Sequence, residues 1–476
     1  MKIDLNNLTI QKAHDHLVKG DFSAVELAEA YLSEISKKNK DINAYLEIYE
    51  DVKKQAEEAD KMIKAGKGRI LTGIPLALKD NILRKGNIAS CASKILANYH
   101  ATYDSTAIAK LKKEGVVFLG RTNMDEFAMG SSTQNSAYGV TKNPHDMSRV
   151  PGGSSGGAAA AVSMNGALAA LGTDTGGSVR QPASFCGLVG LKPTYGSISR
   201  HGIIAMGSSL DQIGPITKTV TDNEILWKAL RGKDIFDGTT ISEDTYPKLP
   251  LHGKKKPIVG IPYSFMNQGI DKEVMKNFEE SVRKLKSLGY EIEDISLPNI
   301  GYSLAVYYVL MPAEVSSNLA RFDGVKYGLH AEGKNLIEDY VKTRAQGFGP
   351  ETRRRVILGT YVLSHGYADA YYNKANQVKA LLQSDFEKVY KKVDLVLTPT
   401  TPTPAFKIGE KTDDPVQMYL ADIFTVTANI VGGPALTVPS GFLEVQGKKL
   451  PLGIQFTAPN GREDLLFAVG KEFLGE

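Results

Sequence analysis

Two adjacent serines stand in a run of glycines, Gly152-Gly153-Ser154-Ser155-Gly156-Gly157, and a third follows in Gly176-Gly177-Ser178. A serine hydroxyl becomes a nucleophile only when a base takes its proton. The first run satisfies G-x-S-x-G, as does the window shifted by one, but an esterase-type elbow also needs a histidine later in the chain. His201, His252, His330 and His365 follow, none of them in a recognisable catalytic context. A lysine can replace histidine if it is neutral near pH 7, and burial lowers a lysine pKa by as much as ~3–5 units. Lys79 closes the apolar run Ile74-Pro75-Leu76-Ala77-Leu78, so its stem should leave a strand inside the core. The competing reading is a strand-end lysine that reaches solvent or pairs with Asp80.

Glycine also serves phosphate binding, but no Gly-Lys pair in the chain is followed by Ser or Thr, and no G-x-G-x-x-G occurs. The glycines are nevertheless in excess: 46 of 476 residues, about 10% against a usual ~7%. Ten of them fall between Pro151 and Gly190, a segment with five serines and two charges, Asp174 and Arg180. Because it also contains AAAAV and ALAAL, it reads as buried, tightly packed backbone rather than as a linker.

The rest of the composition is that of a soluble globular protein, with 42% hydrophobic and 23% charged residues. Fifty-seven Lys and Arg against 53 Asp and Glu leave a net charge of +4. The basic clusters Lys254–Lys256, Arg353–Arg355 and Lys448–Lys449 are too short and dispersed for a chain that grips nucleic acid by itself. The N-terminus lacks the apolar core of a secretory signal, and no stretch reaches the ~20 apolar residues of a membrane span. With two cysteines, Cys91 and Cys186, the chain is expected to be cytoplasmic and free of a disulfide framework.

These residues must be positioned by alternating strands and helices. Ser23 with Glu26 forms a capping box for a helix to about Lys38, and a second helix is expected over about Glu47 to Ala65. Strands are expected at Ile74–Leu78, Val116–Leu119, Pro257–Ile261, Glu291–Ser296, Leu395–Pro399, Ala435–Pro439 and Leu452–Phe456. Helices are expected at Ser105–Glu114, Asp271–Leu288, Tyr302–Arg321, across Glu351–Lys391 with a joint near Gly366, and from about Asp464. The pattern predicts an α/β fold with a parallel or mixed sheet and helices on its faces. One unit over 1–476 is expected, with a helical region at about 1–66, a central region at about 71–215 and further α/β structure at about 216–476.

The order Gly73-Ile74-Pro75-Leu76-Ala77-Leu78-Lys79-Asp80, then Gly152–Gly157, then Gly172-Thr173-Asp174-Thr175-Gly176-Gly177-Ser178-Val179-Arg180 closely resembles the amidase signature family. The resemblance implies an α/β fold with a single large mixed sheet covered by helices on both faces, and a catalytic triad with Ser178 as nucleophile, Ser154 behind a cis peptide as proton relay and Lys79 as base. An oxyanion would be met by backbone amides of Thr175, Gly176, Gly177 and Ser178. Ser155 is expected to be an ordinary turn serine.

Asp125–Ser132, Ser209–Pro215, Ser316–Gly324 and Tyr419–Ile423 narrow the likeness to the glutaminase subunits of tRNA-dependent amidotransferases. That likeness implies glutamine as substrate, with Arg355 on its α-carboxylate, Asp422 on its α-ammonium, and Tyr307 and Met129 at the site. Arg354 is a rival for Arg355, and Tyr308 for Tyr307. No metal or cofactor is implied in this chain; ATP and Mg would belong to a partner, within a heterotrimer with subunits B and C that brings tRNA indirectly. His201 and Gly433 depart from the family pattern, which commonly has Tyr and a larger apolar residue there. Two other readings share the motif: a stand-alone amidase for another small amide, and a silent scaffold, which would have no chemical need for the triad.

Overall fold

An apolar run without a polar break is expected to be buried on both faces, and all five residues of Pro75–Lys79 are buried. In the computed structural model, which describes residues 3–476 apart from 249, 267, 268 and 413, this run lies within a mixed sheet of eleven strands. In chain order these are β1 (Tyr45–Ile48), β2 (Pro75–Lys79), β3 (Val117–Thr122), β4 (Ala169–Asp174), β5 (Val189–Lys192), β6 (Gln212–Thr217), β7 (Ile258–Ile261), β8 (Glu291–Asp294), β9 (Leu395–Pro399), β10 (Ala435–Val445) and β11 (Lys448–Thr457). Their spatial order is β1-β3-β2-β4-β6-β5-β10-β11-β9-β7-β8. The fold is therefore the expected α/β sheet covered by helices.

Two regions are parallel, β3-β2-β4 on one side and β9-β7-β8 on the other, joined through antiparallel β6, β5, β10 and β11. The parallel pair β2 and β4 brings Lys79 and Thr173 to the same end of neighbouring strands. In open α/β sheets the carboxyl ends of parallel strands are where sites form. The Gly156–Ser163 helix, buried from Gly156 through Val162, packs against both strands. Its alanines let it lie close to the sheet.

Several boundaries differ from expectation. The helix expected from Glu47 begins at Val52, because Tyr45–Ile48 is an edge strand paired antiparallel with β3. The late strands are longer than their apolar segments. They form a hairpin whose two-residue turn, Gln446-Gly447, has both φ angles positive (51° and 75°), the geometry that matches strand twist. Strands β4, β5 and β6 had no apolar β-branched run to announce them; β4 is Ala-Ala-Leu-Gly-Thr-Asp.

Beside the main core lies a second one. It joins Met124, Phe127 and Met129 to Val306, Tyr307 and Leu310 of the Ser303–Asn318 helix and to Phe348 at the start of the Pro350–Leu363 helix. The two helices are in close contact, since a Cβ on Gly359 would overlap the Pro312 carbonyl oxygen. The second core therefore carries the elements on which the Tyr307 and Arg355 side chains are mounted.

Candidate active site

Lys79 leaves the end of β2 fully buried. Its Nζ lies 2.8 Å from Ser154 Oγ, 2.8 Å from Ser155 Oγ, 2.9 Å from Thr173 Oγ1 and 3.2 Å from the Thr173 carbonyl oxygen. Among the described residues no carboxylate pairs with it: Asp80 turns away to Arg121 Nη1 (3.0 Å) and to Ser90 and Ala92. Burial among neutral oxygens pulls the Lys79 pKa down to about 7, against the opposing pull of Asp125 and Asp174. An amine so placed can accept a proton from a serine at neutral pH. The Gly153–Ser154 peptide is cis. Ser154 is fully enclosed, while Ser178 keeps 8% of its surface exposed, so of the two it is Ser178 that is open to a substrate.

Ser155 departs from the expectation of an ordinary turn serine. Its hydroxyl meets Lys79 and donates to the Thr173 carbonyl (3.2 Å), and its amide donates to the Ser178 carbonyl (3.1 Å). It binds Lys79, β4 and the main chain of Ser178 together. Gly172 lacks a side chain where Ser155 packs onto the strand.

The stretch 174–181 is shaped by the only two charges in the glycine-rich segment. Asp174 and Arg180 form a fully buried pair, with Nε to Oδ2 and Nη2 to Oδ1 both 3.0 Å. Arg180 also binds Gln455 and the Asn429 Oδ1 (2.6 Å). Burial opposes charge on Asp174, but the Arg180 guanidinium outweighs it and holds the carboxyl well below its usual range. Asp174 also receives the amides of Gly177 (2.9 Å) and Val179 (3.2 Å). The Gly177 amide is thus already engaged, and among the described residues those of Thr175, Gly176 and Ser178 have no protein acceptor. Gly177 is required for another reason: its φ is +129°, and a Cβ there would overlap Thr425.

At Gly176 a Cβ would lie 2.6 Å from the Tyr307 ring, so Tyr307 packs directly on this backbone. The Thr425 hydroxyl links the Gly176 carbonyl (2.7 Å) to that of Asp422 (3.1 Å). Asp422 Oδ2 in turn accepts from Ser131 Oγ (2.7 Å) and Tyr308 OH (3.3 Å). Burial lifts the Asp422 pKa to about 7, against those hydrogen bonds and the charge of Arg355.

The three arginines of the triplet differ in burial. Arg355 is 3% exposed, bonded through Nε to Glu351 (2.7 Å), and its guanidinium sits 5.5 Å from the ring centres of both Tyr308 and Tyr419. Arg353 and Arg354 are exposed, Arg354 pairing at the surface with Glu351. Along this helix Thr352, Arg355, Gly359 and Val362 are buried, a helical spacing already present in the sequence. Met129 is fully buried two residues before Ser131, and Gln181 ties that loop to the serines by bonding the Ser131 carbonyl (2.9 Å) and the Gly153 amide (2.8 Å). A buried cation and a buried anion therefore flank the Tyr308 side chain, next to the serine–lysine cluster.

The amidase family profile matches residues 26–467. This chain belongs to that family. The amidase is 51% identical over 456 residues to the A subunit of the glutamyl-tRNA(Gln) amidotransferase from Thermodesulfovibrio yellowstonii, covering 95% of this chain and 94% of the relative. It is 48% identical to the protein of the same name from Syntrophus aciditrophicus, covering 99% and 97%. The crystal structure of the Thermotoga maritima protein, again of that name, superposes with a TM-score of 0.78 at 39% identity, over 98% of this chain and 94% of that one. A further solved amidase gives a TM-score of 0.82 at 28% identity, over 98% and 99%. Among the described residues of the amidase, no group of three or more His, Cys, Asp or Glu side chains could hold a metal ion, and no helix is long and apolar enough to cross a membrane.

The pKa of Lys79 has a consequence for stability. Between pH about 7 and 10.5 the unfolded chain holds a proton on this lysine that the folded amidase does not, so wild-type stability rises with pH across that window. Lys79→Met removes this dependence. The unfolding temperature of the variant relative to wild type should therefore increase by a few degrees as pH falls from 10 to 7. A difference independent of pH, measured by calorimetry on both proteins, would contradict the neutral lysine.

Proposed function

We propose that this amidase is the glutamine-hydrolysing component of a tRNA-dependent amidotransferase, as the names of its relatives suggest. The observation that carries the reading is the pairing of buried Arg355 with buried Asp422 across Tyr308, a complement to the two charges of a free α-amino acid. The Arg355 fork would hold the α-carboxylate and Asp422 the α-ammonium. Tyr307 and Met129 would line the side-chain path toward Ser178.

In this mechanism Ser178 Oγ attacks the side-chain amide carbon, its proton passing to Ser154 as the Ser154 proton passes to neutral Lys79. Amides of Thr175, Gly176 and Ser178 stabilise the oxyanion; losing one such donor typically costs ~10²–10³ in rate. The C–N bond then breaks, and a proton returns along the same chain to the departing ammonia. Water, deprotonated by the same relay, hydrolyses the Ser178 glutamyl ester to glutamate. The ammonia would pass to a partner, within a cytoplasmic heterotrimer with subunits B and C, that uses ATP and Mg to convert Glu-tRNA(Gln) to Gln-tRNA(Gln). This chain itself would need no cofactor.

Two outcomes follow for the assembled complex. Ser178→Ala should lower glutamine-dependent ammonia release by roughly 10⁴–10⁶-fold while amidation supported by added ammonia persists. Surviving glutaminase activity would refute Ser178 as the nucleophile. Arg355→Ala should raise the glutamine KM roughly 10–100-fold, the loss of a charged hydrogen-bonded pair. Arg354→Ala should leave that KM unchanged; the reverse ranking would overturn the carboxylate assignment.

A further inference from the structure

Glu126 is a carboxylate at 4% exposure, and its side-chain contacts are hydrogen bonds from neutral donors. Its Oε2 accepts the Gly349 amide (2.8 Å) and the Thr352 hydroxyl (2.6 Å), and its Oε1 accepts the Ser93 hydroxyl. Ser93 also donates to the Gly347 carbonyl (3.0 Å), so the pair grips the segment that enters the Pro350–Leu363 helix. Burying a carboxylate is costly, and burial raises its pKa. The helix end offsets this cost. Gly349 is the N-cap and has no side chain to cap with, and Pro350, the first helical residue, has no N–H. A carboxylate from more than two hundred residues away supplies the missing cap and meets the positive end of the helix dipole.

The helix so seated carries Glu351 and Arg355 in its first two turns. Glu126 is also fixed on its other side. Its amide donates to the Asn135 carbonyl (2.7 Å), while the neighbouring Asp125 carboxylate receives the amides of Ser132, Thr133 and Asn135, and the Asp125 amide bonds the Ser154 carbonyl (3.2 Å). One dipeptide therefore ties the helix that bears the substrate cation to the main chain of the relay serine. We infer that Glu126 is a positioning residue that sets where Arg355 presents its guanidinium, and so governs affinity for the substrate α-carboxylate without touching substrate. The inference rests on the glutaminase reading above. The triad is held by other groups, Ser155, Thr173 and the Asp174–Arg180 pair, so the chemical step is expected to be spared.

The test compares glutamine with 4-aminobutanamide, the same amide without the α-carboxylate, using the full chain assembled with its partners. Glu126→Ala should raise the glutamine KM about tenfold, the loss of a helix cap expressed as binding, with kcat retained. The kcat/KM for 4-aminobutanamide should not change. Glu126→Gln keeps an acceptor for the Gly349 amide and should recover most of the loss, whereas Thr352→Val, which removes one hydrogen bond to the carboxylate and leaves Glu126 in place, should raise the glutamine KM in the same selective way and decides the matter if the alanine variant fails to fold. Equal losses on both amides, a fall confined to kcat, or an unchanged glutamine KM would each overturn the inference. A wild-type enzyme that turns over both amides equally well would instead contradict the Arg355 assignment on which the inference stands.

Discussion

The interaction on which the rest depends is an amine taken out of water at the end of two parallel strands. Lys79 has no carboxylate partner and four neutral oxygens within 3.2 Å, an arrangement that satisfies its hydrogen bonds without favouring its charge. An ion pair in that place would stabilise the ammonium and remove the base. Asp80, the adjacent residue in sequence, is kept away by Arg121, which makes the neutral lysine possible. Of the carboxylates that the fold buries nearby, Asp174 is paired with Arg180 and engaged with the backbone of the loop that carries Ser178.

Glycine is what lets these parts approach one another. Gly172 admits Ser155 against β4, Gly176 admits the Tyr307 ring and Gly177 admits Thr425. Through Thr425 the same backbone reaches Asp422, so the segment that would face the oxyanion and the segment that would face an α-ammonium form one rigid unit. The opposite pole, Arg355, arrives on a separate helix, whose seating depends on Glu126. The proposed oxyanion loop and ammonium pole thus share one unit, the proposed carboxylate pole sits on another, and the two are joined at Asp125-Glu126.

How much of this could be read from the sequence depended on range. The five apolar residues before Lys79 placed its stem in the core but left its amine open between burial and solvent, while the burial of 151–190 followed from alanine runs among glycines. The mixed sheet followed from alternating strand and helix patterns, but β4 did not, because small residues carry little strand signal even at the centre of a sheet. That Arg355 rather than Arg354 is buried was legible in the helical spacing with Thr352, Gly359 and Val362. Ser155 was not available, because in an irregular loop no periodicity tells which way a side chain faces. Nor were Glu126 or the Asp422–Ser131 contact, whose partners lie more than two hundred residues apart. His201 lies in a ring stack between Tyr103 and Phe236 (5.1 and 4.7 Å).

The most direct measurement is the pH dependence of the rate at which Ser178 is acylated by a simple activated ester, read by mass spectrometry of the quenched chain. Such an ester carries no α-carboxylate or α-ammonium, so the titration of Asp422, also near pH 7, does not enter the profile. The rate should rise with pH and level off above an apparent pKa of about 7, with the ester on Ser178 alone. A rate that climbs through the ordinary lysine range near 10.5, or an adduct on Ser154 or Ser155, would contradict a neutral Lys79 driving Ser178.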